Sequence, residues 1–408
     1  MGKRAMCLLT ASILAGALWA GGSSKAEEKA QPTTFNSTVG FDVYAVIGKE
    51  HRLVGSTPSA EPLTIPPCRR WYVVPRPLVD MATACHEVEA QTIPGLKLWH
   101  ATDEVLRHLK GLTALQYLDL REGKVTNAGL ENLSALRALQ ELDLGRTEIT
   151  NAGLENLKGL SGLRRLCLLQ TKITDRGLEH LSALAGLQYL DLNGTNVTDA
   201  GLVHVGELAG LQGLDLEGTQ VTGRGLQHLK DLAGLHDLNL QATEVTDAGL
   251  EHLEGLTALQ RLNLNRTKVT DAGLVYLKGL TSLQSLDLWR THVADAGLEP
   301  LEGLVALEWL DLDSTKVSDA GLKHLGGLVA LQYLGLASTK VTDVGLEQLK
   351  GLTELRSLDL SGTKVTDAGV EHLKRIRSLT WFGLQGTKVT RGGVQQLEMS
   401  FPNATVTR

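Results

Sequence analysis

LQYLDLREGKVTNAGLENLSALRA, residues 115–138, is a 24-residue unit that the chain repeats. A leucine stands at its first position, Leu115, and again at Leu139, Leu163, Leu187 and every 24th residue as far as Leu379. That makes twelve copies without one inserted or deleted residue. Such strict self-similarity is the signature of a repeat solenoid, because a unit of this size cannot bury its apolar face alone and does so by stacking on its neighbours. Function is then to be sought on a repeated surface rather than in one pocket.

Within a unit, LxxLxL reads as a short strand whose leucines point inward while the residues between them face solvent. TxVTDAGL follows. Its acid, at Asp175, Asp199, Asp247, Asp271, Asp295, Asp319, Asp343 and Asp367, precedes an apolar i, i+3, i+6 run such as Leu250, Leu253 and Leu256. That placement predicts a helix cap, the carboxylate accepting N–H bonds of its own helix and offsetting the positive end of the dipole. Gly223 and Arg391 replace the acid and are expected to weaken two caps. A glycine two residues on, from Gly129 to Gly393 in every copy, predicts a close approach with no room for a side chain.

The consensus LxxLxLxxTxVTDAGLxxLxxL resembles the leucine-rich repeat family, specifically the cysteine-containing, ribonuclease-inhibitor-like subclass with a Thr-Asp-x-Gly-Leu turn, over about residues 93–408. The resemblance implies an α/β solenoid with a curved parallel sheet on its concave face and helices on its convex face. It also implies a concave face that, in most members, binds another macromolecule. Where the family usually carries Asn or Cys at the strand exit, this chain carries Thr, from Thr147 to Thr387, with Gly123 in the first unit. A hydroxyl can bond to nearby backbone but lacks the two-sided amide of Asn.

Ahead of the repeats, Lys3 and Arg4 precede an apolar stretch from Ala5 to Gly22 and then small residues, a secretory signal pattern. Ser24 and Ala26 fit cleavage after Ala26; an uncleaved membrane anchor is the alternative for the same stretch, and the one route to membrane contact. The chain thus divides into a signal peptide (1–26), a flexible leader (27–40), a small β-rich region with a capping helix (41–92), the solenoid (93–400) and a C-terminal half-strand (401–408). Within 41–92, GSTPSAEPLTIPP faintly resembles the PEGA type of envelope β-module, without its Pro-Glu-Gly-Ala signature. An exported protein of the periplasm, envelope or medium is expected. Cys68 and Cys85 can pair as a disulfide in an oxidising compartment or stay as buried thiols, and Cys167 stands alone on a strand.

Of the 408 residues 42% are hydrophobic but only 4% aromatic, so the core is built of leucine and valine. Cleavage after Ala26 removes Lys3, Arg4 and Lys25 and no acid, which takes the formal charge from −6 to −9 and disfavours nucleic acid as a partner. Phosphate-cradling glycine loops, nucleophile elbows and HExxH are missing from the sequence. The chain therefore reads as a non-enzyme with no cofactor and no small-molecule substrate. Seven histidines, His108, His180, His204, His228, His252, His324 and His372, share one position on the convex helices. Helices in adjacent units sit roughly 8 to 10 Å apart and no ligand set is completed, so these are read as filler rather than a metal site.

On the face of the sheet, the fifth position forms an acidic column of Asp119, Asp143, Asp191, Asp215, Asp287, Asp311 and Asp359, interrupted by Cys167, Asn239, Asn263, Gly335 and Gly383. Two readings stand: a strip for cations or basic ligands, or a solvated consensus residue. Where units break their own consensus, a partner is the expected cause. Units seven to ten do so with Arg261, Asn263, Asn265, Arg266, Asp287, Trp289, Arg290, Trp309, Asp311, Asp313 and Tyr333, and Trp, Tyr and Arg dominate binding energy when covered. The reading is a module that binds another protein, or a cell-surface polymer, through this face and does no chemistry. A structural component of the cell envelope is the alternative.

Overall fold

The computed structural model describes residues 33–408 apart from Lys49 and Arg69, so the signal read in residues 1–26 lies outside the described residues. The chain forms two compact units, Met1–Asp215 and Leu216–Arg408.

In the first unit, residues 33–35, inside the stretch expected to be a flexible leader, form a strand. Strand β1 (Thr33–Phe35) pairs antiparallel with β4 (Leu63–Ile65). Phe35 is buried there, the Asn36 amide donates to the Ser59 carbonyl at 2.9 Å and the Ser37 hydroxyl to Glu87 at 2.5 Å. One ring and these two polar contacts help to hold residues whose composition alone suggests coil. Strand β2 (Phe41–Ile47) lies between β3 (Glu50–Ser56) and β5 (Arg70–Pro75), antiparallel to both. Helix α1 (Met81–Ala90) follows, with the Asp80 carboxylate accepting from the Thr83 N–H at 2.9 Å and Ala84, Cys85 and Val88 buried. Strand β5 then pairs parallel with β6 (Gly95–Lys97), so the β-rich region and the repeats share one sheet.

From β6 the three-residue strands run parallel, position matched to position: Leu96, Leu118, Leu142, Leu166, Leu190 and Leu214 form one row. The second unit repeats the arrangement, with a row from Leu238 through Leu262, Leu286, Leu310, Leu334 and Leu358 to Phe382 and Val406. Leucines of these rows are almost without exposure, and each stabilises by about 1.5 to 3 kcal/mol relative to leaving it in water. Behind the strands most repeats hold one α-turn followed by a 3-10 turn, as in Asp271–Leu274 and Val275–Leu277. The unit is short and places a glycine third in the helix, a poor helix former, so tertiary packing rather than propensity holds the turn. At the C-terminal end Phe401 packs on Phe382 with ring centroids 5.1 Å apart.

The acid at the helix start is not the cap. The cap is the residue before it: Thr198, Thr270, Ser318, Thr342 and Thr366 each accept from the N–H two residues on. The carboxylate instead reaches into the next repeat. Asp247 accepts the N–H and the hydroxyl of Thr270, both at 2.7 Å, and Asp175, Asp319, Asp343 and Asp367 do the same to the Thr 23 residues on. Asn127 and Asn151 serve equally, accepting with Oδ1 and donating with Nδ2. Arg391 therefore weakens no cap, and Thr390 caps the ten-residue helix Arg391–Ser400. The repeat of Gly223 has a 3-10 turn over Gly225–His228, as the repeat of Asp295 has over Asp295–Leu301, and Thr222 still accepts the Arg224 N–H at 3.2 Å. The strand-exit Thr also bonds within its own unit, as Thr267 does to the Leu264 carbonyl at 2.6 Å.

These staples give a direct expectation. Asp247→Ala removes both bonds to Thr270 and should cost about 2 kcal/mol. Asp247→Asn should cost well under half of that, since the chain already uses Asn at two such places. Urea unfolding of both variants decides it, and equal losses would show that the staple charge, not its hydrogen bonds, ties the repeats.

Candidate functional site

The residues of the acidic column have a local structural role that neither sequence reading named, and they are not solvated. At the fifth position one side-chain oxygen turns back on the chain and accepts the N–H two residues on: Asp119 from Arg121 at 3.0 Å, Asp143 from Gly145 at 2.9 Å, Asp287 from Trp289 at 2.9 Å and Asp311 from Asp313 at 2.8 Å. Asn239 and Asn263 make the same bond. Such a turn ends the strand, and the next residue but one, the eighth of the unit, takes a left-handed φ, 57° at Arg266 and 54° at Arg290. The sheet face is thus only three positions wide. Packed against the side chains of strands one spacing away, the carboxylates are largely withdrawn from water, Asp143 and Asp215 almost completely.

In the first unit several charges on this face are matched within it, though Asp191 meets only the Asn193 N–H and the Cys167 thiol. Lys97 pairs with Asp119 at 2.8 Å, Arg121 with Asp143, and Arg70 with Glu141. Arginines also cover the tyrosines: Arg70 lies 4.3 Å over the Tyr117 ring and Arg165 lies 3.6 Å over Tyr189. The β-rich region adds Tyr44, stacked on Tyr72 at 5.3 Å, and His51, whose Nδ1 is 2.9 Å from the Tyr72 hydroxyl. Burial and the cations Arg70 and Lys97 lower the His51 pKa to about 4. Cys167, wholly buried, donates to Asp191 at 3.4 Å, and burial pushes its thiol well up. Cys85 is an unbridged thiol within α1, raised to about 11 by desolvation, so the Cys68 and Cys85 pairing raised from the sequence is not made.

In the second unit the eleven residues singled out by divergence separate into three groups. Arg261 pairs with Asp237 on the neighbouring strand, the Asn263 amide donates to Gln241 at 3.1 Å and the Asn265 amide to Asp287 at 3.3 Å; these are internal ties. Arg266 and Arg290 are exposed on the left-handed turns at the edge of the face, and Arg290 lies 4.6 Å over the Trp289 ring. The third group comes together. Trp309 and Tyr333 stack with ring centroids 3.6 Å apart and planes 8° from parallel, both half-buried, with Asp287, Asp311 and Asp313 around them. Burial raises the Asp287 carboxyl to about 6. Asp311 is pushed well above the usual range, by burial first and then by Asp313 and Asp287. Among the described residues, no ion pair reaches Asp287, Asp311 or Asp359.

Sequence reasoning missed the cluster of the first unit. Tyr117 and Arg121 stand at legible positions of the first repeat, but Tyr44, His51, Arg70 and Tyr72 come from strands outside the repeat, whose register no periodicity reveals. Of the convex histidines, His324 meets Glu302 at 2.5 Å, and no three His, Cys, Asp or Glu among the described residues are placed to hold a metal ion.

A family model described as Leucine Rich repeat matches four stretches, residues 136–158, 187–205, 255–278 and 352–374. Among solved structures, an internalin from Listeria monocytogenes is similar with a TM-score of 0.62 and 23% identity, over 80% of this chain and 93% of that one. A leucine-rich repeat protein of Leptospira interrogans is similar with a TM-score of 0.59 and 18% identity, over 78% of this chain and 90% of that one. A TDR receptor is similar with a TM-score of 0.52 and 18% identity, over 75% of this chain and 62% of that one. No curated protein matches. The fold is a leucine-rich repeat solenoid.

Proposed function

We propose that this chain is an exported leucine-rich repeat protein that binds another protein through the sheet face of its second unit and carries out no chemistry. Leucine-rich repeat folds commonly mediate protein–protein binding, and no helix among the described residues is long and apolar enough to cross a membrane. The observation that carries the reading is the stacked Trp309 and Tyr333 pair, half-buried on the sheet face beside Asp287 and Asp311, which no ion pair among the described residues reaches. Rigid aromatic anchors next to uncompensated charge are what a partner covers with most gain.

Affinity capture from the native envelope and medium tests it, with the intact protein beside Trp309→Ala. The half-buried ring rests on Tyr333, so the variant should fold and lose partner affinity by roughly 30-fold, the size of a hot-spot truncation. Equal retention by both proteins would move the weight to an envelope scaffold, whose packing needs no anchor.

A further inference from the structure

One staple of the second unit is missing. In other repeats an aspartate accepts both the N–H and the hydroxyl of the residue 23 places on, as Asp175 does from Thr198, Asp247 from Thr270 and Asp319 from Thr342. For Thr246 the residue 23 places back is Gly223, which has no side chain to offer. Nothing among the described residues takes over: the Thr246 N–H donates to no acceptor, and its hydroxyl caps no turn. Thr246 is accordingly exposed, whereas Thr198, Thr270 and Thr342 are half-buried.

The vacated place is not closed by the backbone. A Cβ on Gly249 would stand 2.4 Å from the Gly223 Cα, so the two repeats touch there, yet a cavity of about 340 Å³ stays open beside them. Thr222, Arg224, Glu244, Thr246 and His252 line it. Glu244 is already matched, by Lys268. Arg224 is exposed, and among the described residues no ion pair or side-chain hydrogen bond engages its guanidinium. The cavity therefore presents an N–H, an O–H and an unmatched cation. The turn behind Thr246, Asp247–Leu250, has four residues, so the attraction is not that of a helix dipole; the seat is defined by the carboxylate that the same two donors hold in the other repeats.

We propose that this cavity binds the carboxylate of a ligand, with one oxygen on the Thr246 N–H, the other on the Thr246 hydroxyl, and Arg224 matching the charge. The ligand does from outside what Asp175 and Asp247 do from within. Hydrogen bonds to an ionised acceptor are about twice as strong as neutral ones, so a group that fills the seat gains more than the water it displaces. The carboxylate belongs to a small organic acid or to an acidic side chain of a bound chain. The site lies on a turn rather than on the sheet face, and it stands apart from the binding reading above.

The test is an NMR titration of the intact protein with sodium acetate at constant ionic strength, followed at the backbone amide of Thr246. That amide should shift and saturate, sodium chloride should not reproduce the shift, and the Thr270 amide, whose seat Asp247 fills, should stay in place. Thr246→Val and Arg224→Ala should each weaken acetate binding by at least about fivefold. Both variants keep the fold, because the Thr246 hydroxyl caps nothing and Arg224 is exposed, and an unchanged melting temperature verifies it. Gly223→Asp is the less useful variant, since its Cβ would stand 2.7 Å from the Gly249 Cα. A response that does not saturate, an equal response to chloride, an equal shift at Thr270, or undiminished affinity in either variant overturns the inference. A capped peptide, Gly-Ser-Asp-Ser-Gly, separates the two sources: binding at least as tight as that of acetate marks an acidic side chain, and weaker or no binding marks a small free acid.

Discussion

Gly273→Ala is expected to destabilise the second unit by about 3 kcal/mol net, even though alanine in an unconstrained helix is favoured over glycine by about 1 kcal/mol. The clash decides the sign. A Cβ on Gly273 would meet Asp247 Oδ1 at 2.5 Å, the Asp247 Cα at 3.0 Å and Leu250 Cδ1 at 3.1 Å. Overpacking of this kind costs about 2 kcal/mol. Pushing Asp247 away also breaks its two bonds to Thr270, worth about 2 kcal/mol more. Gly279, in the same repeat, has nothing within 4 Å of its missing Cβ, so Gly279→Ala should change stability by less than about 0.5 kcal/mol. Urea midpoints for the two variants give the comparison. Near-equal effects would mean that the helix starts are not locked to the preceding repeat by glycine, and the staple would lose its role in setting repeat spacing.

The same contact explains what a sequence can and cannot announce. Leucine spacing gives strand positions and register, because a core filled by Leu262, Leu286 and Leu310 leaves only one way to stack identical units. The glycine was legible as a close approach, but its neighbour was not. From within one unit, Asp247 has its own helix N–H groups as the nearest donors, and only stacking brings Thr270, 23 residues on, closer than they are. The acidic column failed for a related reason. Strand alternation sends Asp287 outward, and outward ordinarily means wet. In a parallel stack of like positions, outward side chains bury one another and the short Asx turn draws the carboxylate in. Divergence at Trp289 and Trp309 was visible in the sequence. What it builds, the stack of Trp309 on Tyr333, depends on the strand register that sets the two rings side by side.

Burial of those carboxylates leads to an unusual pH dependence. Asp287 ionises at about 6 in the fold against an ordinary 3.8, because burial disfavours its charge. The folded state therefore holds a proton that the unfolded chain releases, and this contribution to stability is intact below about pH 4 and lost as pH rises to about 6. Ionised Asp287 costs the fold up to about 3 kcal/mol at pH 8. Asp311, raised by burial and by Asp313 and Asp287, adds a loss of the same sign that extends to higher pH. Asp367, held low by its bonds to Thr390, opposes this only in more acid solution. Asp287→Asn should then match the parent near pH 4 and exceed it by up to about 3 kcal/mol at pH 8, with Asn still able to accept the Trp289 N–H. Unfolding midpoints of parent and variant at pH 4.5 and 8 would show it, and parallel pH curves would place the destabilising charge elsewhere.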